Sequence, residues 1–373
     1  MQYRKVCLES VGYALPEEIV TSAALEQRLS PLYERLRLPE GRLELMSGIR
    51  ERRFWQPGTL PSSQSIVSGR RALEAAGIAP SEVGALLHAS VCRDHLEPAT
   101  ACKVHHYLGL PSDCVVYDVS NACLGLLNGV VQIANMIELG QIRAGLVVGT
   151  EGSRQLVETT IEALNAATHL TRAQIKPAMA SLTIGSASCA MLLVDESLSR
   201  TGNRLRSAHF RAHTRFHDLC QSGQDEAVQS GMQPLMDTDA ERLLQEGVAV
   251  GRENFQRFLA ELGWDTADID KTFCHQVGTA HRKLMLETFG LRPEADFTTY
   301  EWLGNTGSVA LPVTLGIGLE RGVVAAGEQL AFLGIGSGIN CLMLAAEWQR
   351  ACVLGDPIGS SGPRDNPVPV AVP

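Results

Sequence analysis

Short apolar runs rich in Val, Ile and Leu alternate along the chain with stretches whose apolar residues recur every third or fourth position. The first kind reads as strand buried on both faces, and the second as helix with one buried face. On this rule Val83–Val91, Cys114–Val119, Gly145–Gly149 and Ala187–Val194 are strands, and Gly125–Leu139 is a helix. The pattern then returns. A helix covers about Ala240–Leu262, and a strand leads into Cys274 and His275. A helix follows over Thr279–Phe289, and another over Ala310–Arg321 after Asn305. Gln329–Leu333 is a strand ending in a glycine loop, and Cys341–Glu347 is the last strand. Strands alternating with helices predict an α/β protein with a largely parallel, buried sheet. The recurrence predicts an internal duplication, with halves 1–198 and 199–350 joined near Glu196–Asn203. The remainder, 351–373, is rich in Pro, Gly and Ser without periodicity, and reads as a disordered tail.

Composition narrows the function. The chain has 373 residues, enough to bury a large core, with 45% apolar and 20% charged residues. A net charge of −9 without a basic run argues against nucleic acid as a partner. Met1–Ser10 carries charges and no apolar core of a secretory signal. No uninterrupted apolar stretch reaches the roughly 18 residues of a membrane span. Ten scattered cysteines without a CxxC pair suggest reduced thiols in the cytoplasm rather than disulfides or a zinc ribbon.

Four stretches carry candidate chemistry. In Asp118-Val-Ser-Asn-Ala-Cys123-Leu-Gly, a buried strand runs through a polar turn into an apolar helix. A thiol at a helix N-terminus meets unpaired N–H groups and the positive end of the dipole, which favour the thiolate. A buried structural cysteine is the alternative at this position. Phe273-Cys-His275-Gln-Val-Gly is again a strand ending in a turn before a helix. Its His is placed to transfer protons or to donate to a thioester oxygen, or else to be structural. In Gly304-Asn305-Thr-Gly307-Ser the small residues allow close backbone approach, and the Asn amide can donate to an oxyanion; a lone GNxG is otherwise a turn. Leu333-Gly-Ile-Gly336-Ser337-Gly338 follows a strand too near the C-terminus to open a dinucleotide-binding βαβ unit, and no acidic residue follows at the needed distance. It fits a loop of backbone N–H donors.

Taken in order, these stretches resemble the thiolase superfamily of condensing enzymes, in its β-ketoacyl-ACP synthase III branch. The Cys, His, Asn, glycine-loop order and the spacings after His275 are similar, as is the early segment Ser47-Gly-Ile-Arg50-Glu-Arg52-Arg53. The resemblance runs from about residue 5 to 348. It implies a duplicated αβαβα fold in five layers, a homodimer, and no metal or redox cofactor. It further implies that Cys123 takes an acyl group from acyl-CoA or acyl-ACP, with the N–H groups of Cys123 and Ser337 as its oxyanion hole. His275 and Asn305 would stabilise the enolate of the second substrate, and Arg50, Gly336 and Gly338 would contact substrate. Arg50, Arg52 and Arg53 would then face CoA phosphates or an acidic carrier, or form a solvated basic face.

Departures from the ordinary synthase pattern matter more. The His motif is His275-Gln-Val-Gly278, Met46 precedes Ser47, and the segment Asp94-His-Leu-Glu97-Pro98 carries a glutamate. With Arg28-Leu-Ser-Pro31-Leu-Tyr33-Glu-Arg35-Leu and Gly334-Ile-Gly-Ser-Gly-Ile-Asn340-Cys341, these look like the OleA-type acyl-CoA condensing enzymes of olefin biosynthesis. In that type a glutamate reaches the active site of the partner subunit, and here it would be Glu97. A malonyl donor forms its carbanion by losing carbon dioxide, whereas a plain acyl-CoA must lose an α-proton, which a positioned carboxylate can accept. Glu97 would otherwise serve a helix N-terminus beside Pro98. The expected reaction is therefore a Claisen condensation of two fatty acyl-CoAs to a β-keto acid. The alternatives are a synthase III using malonyl-ACP, and acyl transfer to an alcohol or amine. Further enzymes of the same lipid pathway are possible partners. His209, His213 and His217 recur every fourth residue as helix-borne metal ligands do, but they lack carboxylate neighbours and are set aside.

Overall fold

The computed structural model describes residues 1–223 and 235–356. Ten strands form one mixed sheet. They are β1 (Val6–Ala14), β2 (Ala85–Ala89), β3 (Val115–Val119), β4 (Ala144–Glu151), β5 (Ala187–Asp195), β6 (Arg204–Ala212), β7 (Lys271–Cys274), β8 (Gln329–Gly336), β9 (Asn340–Glu347) and β10 (Val353–Leu354). Their order is β7-β8-β9-β6-β1-β5-β4-β2-β3, with β10 against β1. From β1 outward the pairings are antiparallel, antiparallel, parallel, parallel. From β6 outward they are antiparallel, antiparallel, parallel. The two series meet at one antiparallel pair, Cys7 with Arg204.

The expectation of a largely parallel sheet is thus corrected. A run apolar on both faces identifies a buried strand but not its direction. Between β8 and β9 only Ser337, Gly338 and Ile339 intervene, too few for a crossover, so these strands form an antiparallel hairpin.

The helices that position the site are α1 (Pro61–Ala76), α2 (Thr100–Leu108), α3 (Gly125–Glu138), α4 (Arg154–Ala166), α5 (Ala240–Leu262), α6 (Thr279–Phe289) and α7 (Ala310–Glu320). Successive strand residues face opposite sides of a sheet, and both sides here are covered. One apolar core joins alternate residues of β1 (Val6, Leu8, Val11, Tyr13) to α3, to α7, and to Phe273, Phe332 and Leu344 of the other series. A second lies under α1 and α2 and takes Cys7, Leu146 and Leu192. A third lies under α5 and α6, with Leu333 and Met343. The result is five layers, with α3 and α7 in the middle. Helix α7 is accordingly buried from Ala310 to Leu319, apolar on all sides as a central helix must be.

The tail is not loose over its first residues. β10 pairs in parallel with β1, and Asp356 accepts hydrogen bonds from the Leu15 N–H (2.7 Å) and the Arg71 guanidinium (2.6 Å). A ladder and a half-buried ion pair hold residues 351–356; the rest of the predicted tail, 357–373, lies outside the described residues. No helix among the described residues is long and apolar enough to cross a membrane.

Candidate active site

Strand β3 ends at Val119, and residues Ala122–Leu124 make a single tight turn before α3 begins at Gly125. Ala122 takes a left-handed φ of 44°. For a residue with a Cβ that conformation is strained, and the packing around the turn must hold it. Cys123 follows, so its thiol stands at the mouth of α3. The backbone N–H groups of Cys123 and Ser337 act on it in favour of the thiolate. Burial nevertheless pushes the thiol up to about 12, and the nearby Cys220 and Glu151 push it the same way. The thiolate expected from a helix N-terminus is therefore not the resting form: desolvation of a buried anion outweighs the dipole.

Ser337 belongs to the β8–β9 turn. A Cβ on Gly336 would lie 3.0 Å from Leu124 Cγ and 3.6 Å from Cys123 Cβ, so a glycine is what lets this strand end reach the nucleophile. Gly338 has a φ of 108°, open to glycine alone. A chain of amides braces the two turns. Asn340 Nδ2 donates to Asn121 Oδ1 (3.2 Å), and Asn121 Nδ2 donates to Asn128 Oδ1 (2.7 Å). These asparagines line an open cleft of about 240 Å³ with Leu124 and Phe210.

His275 ends β7 beside β8, its N–H bonded to Leu333 O (3.0 Å). The ring is buried, and Nδ1 has no hydrogen-bond partner among the described residues. Burial and then His281 lower its pKa to about 3, so the imidazole is neutral near pH 7. A neutral ring offers one nitrogen to accept a proton and one to donate. Asn305, also buried, accepts the Gly307 N–H at Oδ1 (3.0 Å), which leaves its Nδ2 as the free donor. The turn Gly307–Val309 that follows packs against the nucleophile turn.

Glu151, the last residue of β4, escaped the sequence reading. It is buried, and its carboxylate accepts from Ser308 Oγ (2.5 Å), Ser308 N (3.3 Å), Val91 N (3.1 Å) and Cys92 N (3.3 Å). An acidic residue closing an otherwise apolar strand, Ala144-Gly-Leu-Val-Val-Gly-Thr-Glu151, is the signal that was available.

The structure thus brings Cys123, Ser337, Gly336 and the Asn305 turn together and sets His275 at the neighbouring strand end. Glu97 lies elsewhere in this chain, exposed on the loop between β2 and α2. Its alternative role at a helix N-terminus is filled by Asp118, which accepts from Thr100 N (2.8 Å) and Ala101 N (2.9 Å). Arg50 is exposed on its own side of the Ser47–Gly48 segment, which touches Thr279 at the start of α6. Arg52 cannot meet a phosphate. It is buried, with its guanidinium on Val20 O, Leu182 O and Ser22 Oγ. Arg53 donates to Pro16 O. His209 sits on strand β6, not a helix, and pairs with Glu261. Among the described residues no group of three or more His, Cys, Asp or Glu is arranged to hold a metal ion.

Residues 64–201 match the thiolase N-terminal domain, and residues 259–348 match the C-terminal domain of 3-oxoacyl-[acyl-carrier-protein] synthase III. An acyl-CoA:acyl-CoA alkyltransferase of Shewanella oneidensis is 43% identical over 93% of this chain and its own full length. One from Xanthomonas campestris is 32% identical over the same share of this chain and its own full length. The solved structure of cerulenin-bound Xanthomonas campestris OleA superposes with a TM-score of 0.88 at 32% identity, covering 93% of this chain and 98% of that one. Other structures of that protein carry a replaced cysteine, histidine or glutamate.

Proposed function

The chain belongs to the thiolase superfamily of condensing enzymes, in the synthase III branch with the acyl-CoA:acyl-CoA alkyltransferases, and from this we propose that it joins two fatty acyl-CoAs by a Claisen condensation without decarboxylation. Cys123 is the nucleophile. Its proton leaves to the neutral His275 as Sγ attacks the first thioester carbonyl, and CoA departs with a proton. The N–H groups of Cys123 and Ser337 receive the oxyanion. A carboxylate then removes an α-proton from the second acyl-CoA, and the His275 and Asn305 donors hold the enolate oxygen. The enolate carbon attacks the acyl-cysteine, the C–S bond breaks, and hydrolysis of the remaining thioester gives a β-keto acid.

The carboxylate is Glu97 of a second subunit. The supporting observation is its exposure on a loop with exposed Leu96 and Val91. In Xanthomonas campestris OleA, the replaced glutamate and cysteine are separated by the same number of residues as Glu97 and Cys123. We accordingly take the working form to be a homodimer. Strand β3 is an edge of the sheet, and exposed Tyr107 and Val115 on and next to it are candidate contact surface. Arg50, next to exposed Leu45 and Met46, is placed to meet the phosphates of CoA, while Gly336 and Gly338 give the acyl group room. The reaction needs no cofactor beyond its acyl-CoA substrates. We place it in the cytoplasm, in a fatty acid or olefin pathway; ten free thiols suit a reducing compartment.

Pure enzyme given long-chain acyl-CoA alone should release CoA and form a β-keto acid or the ketone from its decay. Product formation only when malonyl-ACP is added would replace this reading with the synthase III alternative.

A further inference from the structure

Glu151 is a buried carboxylate in the catalytic pocket with no part in the chemistry above. Three backbone N–H groups donate to it, those of Ser308, Val91 and Cys92, and Ser308 Oγ lies 2.5 Å away. Burial raises its pKa against these donors, and a serine hydroxyl can donate to the anion or accept from the acid, so the contacts hold in either protonation state. The donors come from two different places. Ser308 lies in the turn that follows Asn305, and its Oγ also reaches Ala89 O (3.1 Å) at the end of β2. Val91 and Cys92 begin the loop that carries Glu97. Asp94 of that loop is fixed separately, by Ser62 N (2.9 Å) and Ser62 Oγ (2.5 Å), so the root is held while Glu97 stays exposed.

Space around the carboxylate is tight. Gly307 has a φ of 58°, and a Cβ there would come 3.1 Å from Glu151 Cγ. The nucleophile is next door: a Cβ on Gly125, first residue of α3, would lie 3.4 Å from Ala89 O and 3.7 Å from Ser308 Cβ.

We propose that Glu151 is a positioning residue of the condensation, clamping the Asn305 turn to the root of the Glu97 loop. The clamp fixes the spacing between the enolate-stabilising donor and the segment that supplies the base to the neighbouring active site. This deepens the condensation reading proposed above and rests on it.

Two variants test the clamp. Glu151→Ala removes the side-chain acceptor, and Glu151→Gln keeps its shape and one acceptor oxygen. Acylation of Cys123 by acyl-CoA and condensation per acyl-enzyme are timed separately. Glu151→Ala should lose condensation by ~10-fold or more beyond any loss of acylation, the size expected from misplacing a catalytic group, and Glu151→Gln should recover part of that loss. Unchanged condensation, or equal losses in both steps, would overturn the proposal. If wild type acylates Cys123 yet condenses only with a malonyl thioester, the function above fails, while a selective loss of that condensation in Glu151→Ala still supports the clamp.

Discussion

At position 123 two effects of known size oppose each other. N–H groups at a helix mouth favour an anion by about 0.3–1 kcal/mol, less than one pKa unit, which is worth about 1.36 kcal/mol. Burial acts on the same thiol and carries it up to about 12. Cys123 alkylation in substrate-free enzyme should therefore keep rising through pH 9–10; a plateau near pH 7 would show a preformed thiolate. The histidines carry the mirror-image effect. Burial lowers His275 to about 3, His281 to about 4 and His88 to about 4, against an ordinary value of about 6.5. Between those values the unfolded chain binds protons that the folded chain refuses, so stability must fall as pH drops below 6.5. Urea midpoints at pH 7, 5.5 and 4.5 should decrease in that order, and His275→Gln should flatten the slope. At this scale Cys123 and His275 were legible as candidates because each follows the end of a strand, a local pattern, and Asn305 because it sits in a glycine turn. Glu151 was not, because its partners come from residues 91, 92 and 308, which only folding assembles.

The elements divide by what their periodicity encodes. Helix α5 begins at Ala240 and ends at Leu262 as its spacing predicts, since one face packs on the sheet and the other is wet. Strand direction is not written in a run that is apolar on both faces, so β5, β8 and β9 could be located but not oriented. The His209 stretch, set aside as a metal site, shows a related limit: spacing by four is helical only if the segment is a helix, and β6 alternates instead. Central helix α7 should be the least tolerant element. Leu315 is fully buried in the middle layer, and Leu315→Ala should lower unfolding free energy by about 2–5 kcal/mol in urea titrations. The brace from Asn340 to Asn121 ties the oxyanion turn to the nucleophile turn. Asn340→Leu should slow acylation of Cys123 several-fold while leaving the urea midpoint within about 1 kcal/mol of wild type, as replacing a half-exposed polar group does.

For the whole molecule, the duplication places one strand–turn constellation from each half at a shared centre: Cys123 from the first, His275, Asn305 and Ser337 from the second. On the proposed reading, Glu97 completes the site of a second subunit. Glu97→Ala and Cys123→Ala, each inactive in condensation, should therefore restore activity when co-expressed, because a mixed dimer keeps one intact site; purified mixed dimers as dead as the parents would show that the two residues serve the same chain's site. The homodimer came only from the family resemblance, since a solvent-facing loop and a partner-facing loop have the same composition.

The most direct measurement is intact-protein mass spectrometry of wild type and Glu97→Ala after mixing with long-chain acyl-CoA and no malonyl thioester. The acyl adduct on Cys123 should be transient in wild type as β-keto acid forms, and should accumulate to one per chain in Glu97→Ala, which can load the first acyl group but cannot deprotonate the second substrate. An adduct absent from Cys123, or one that turns over equally fast in both proteins, would contradict the account.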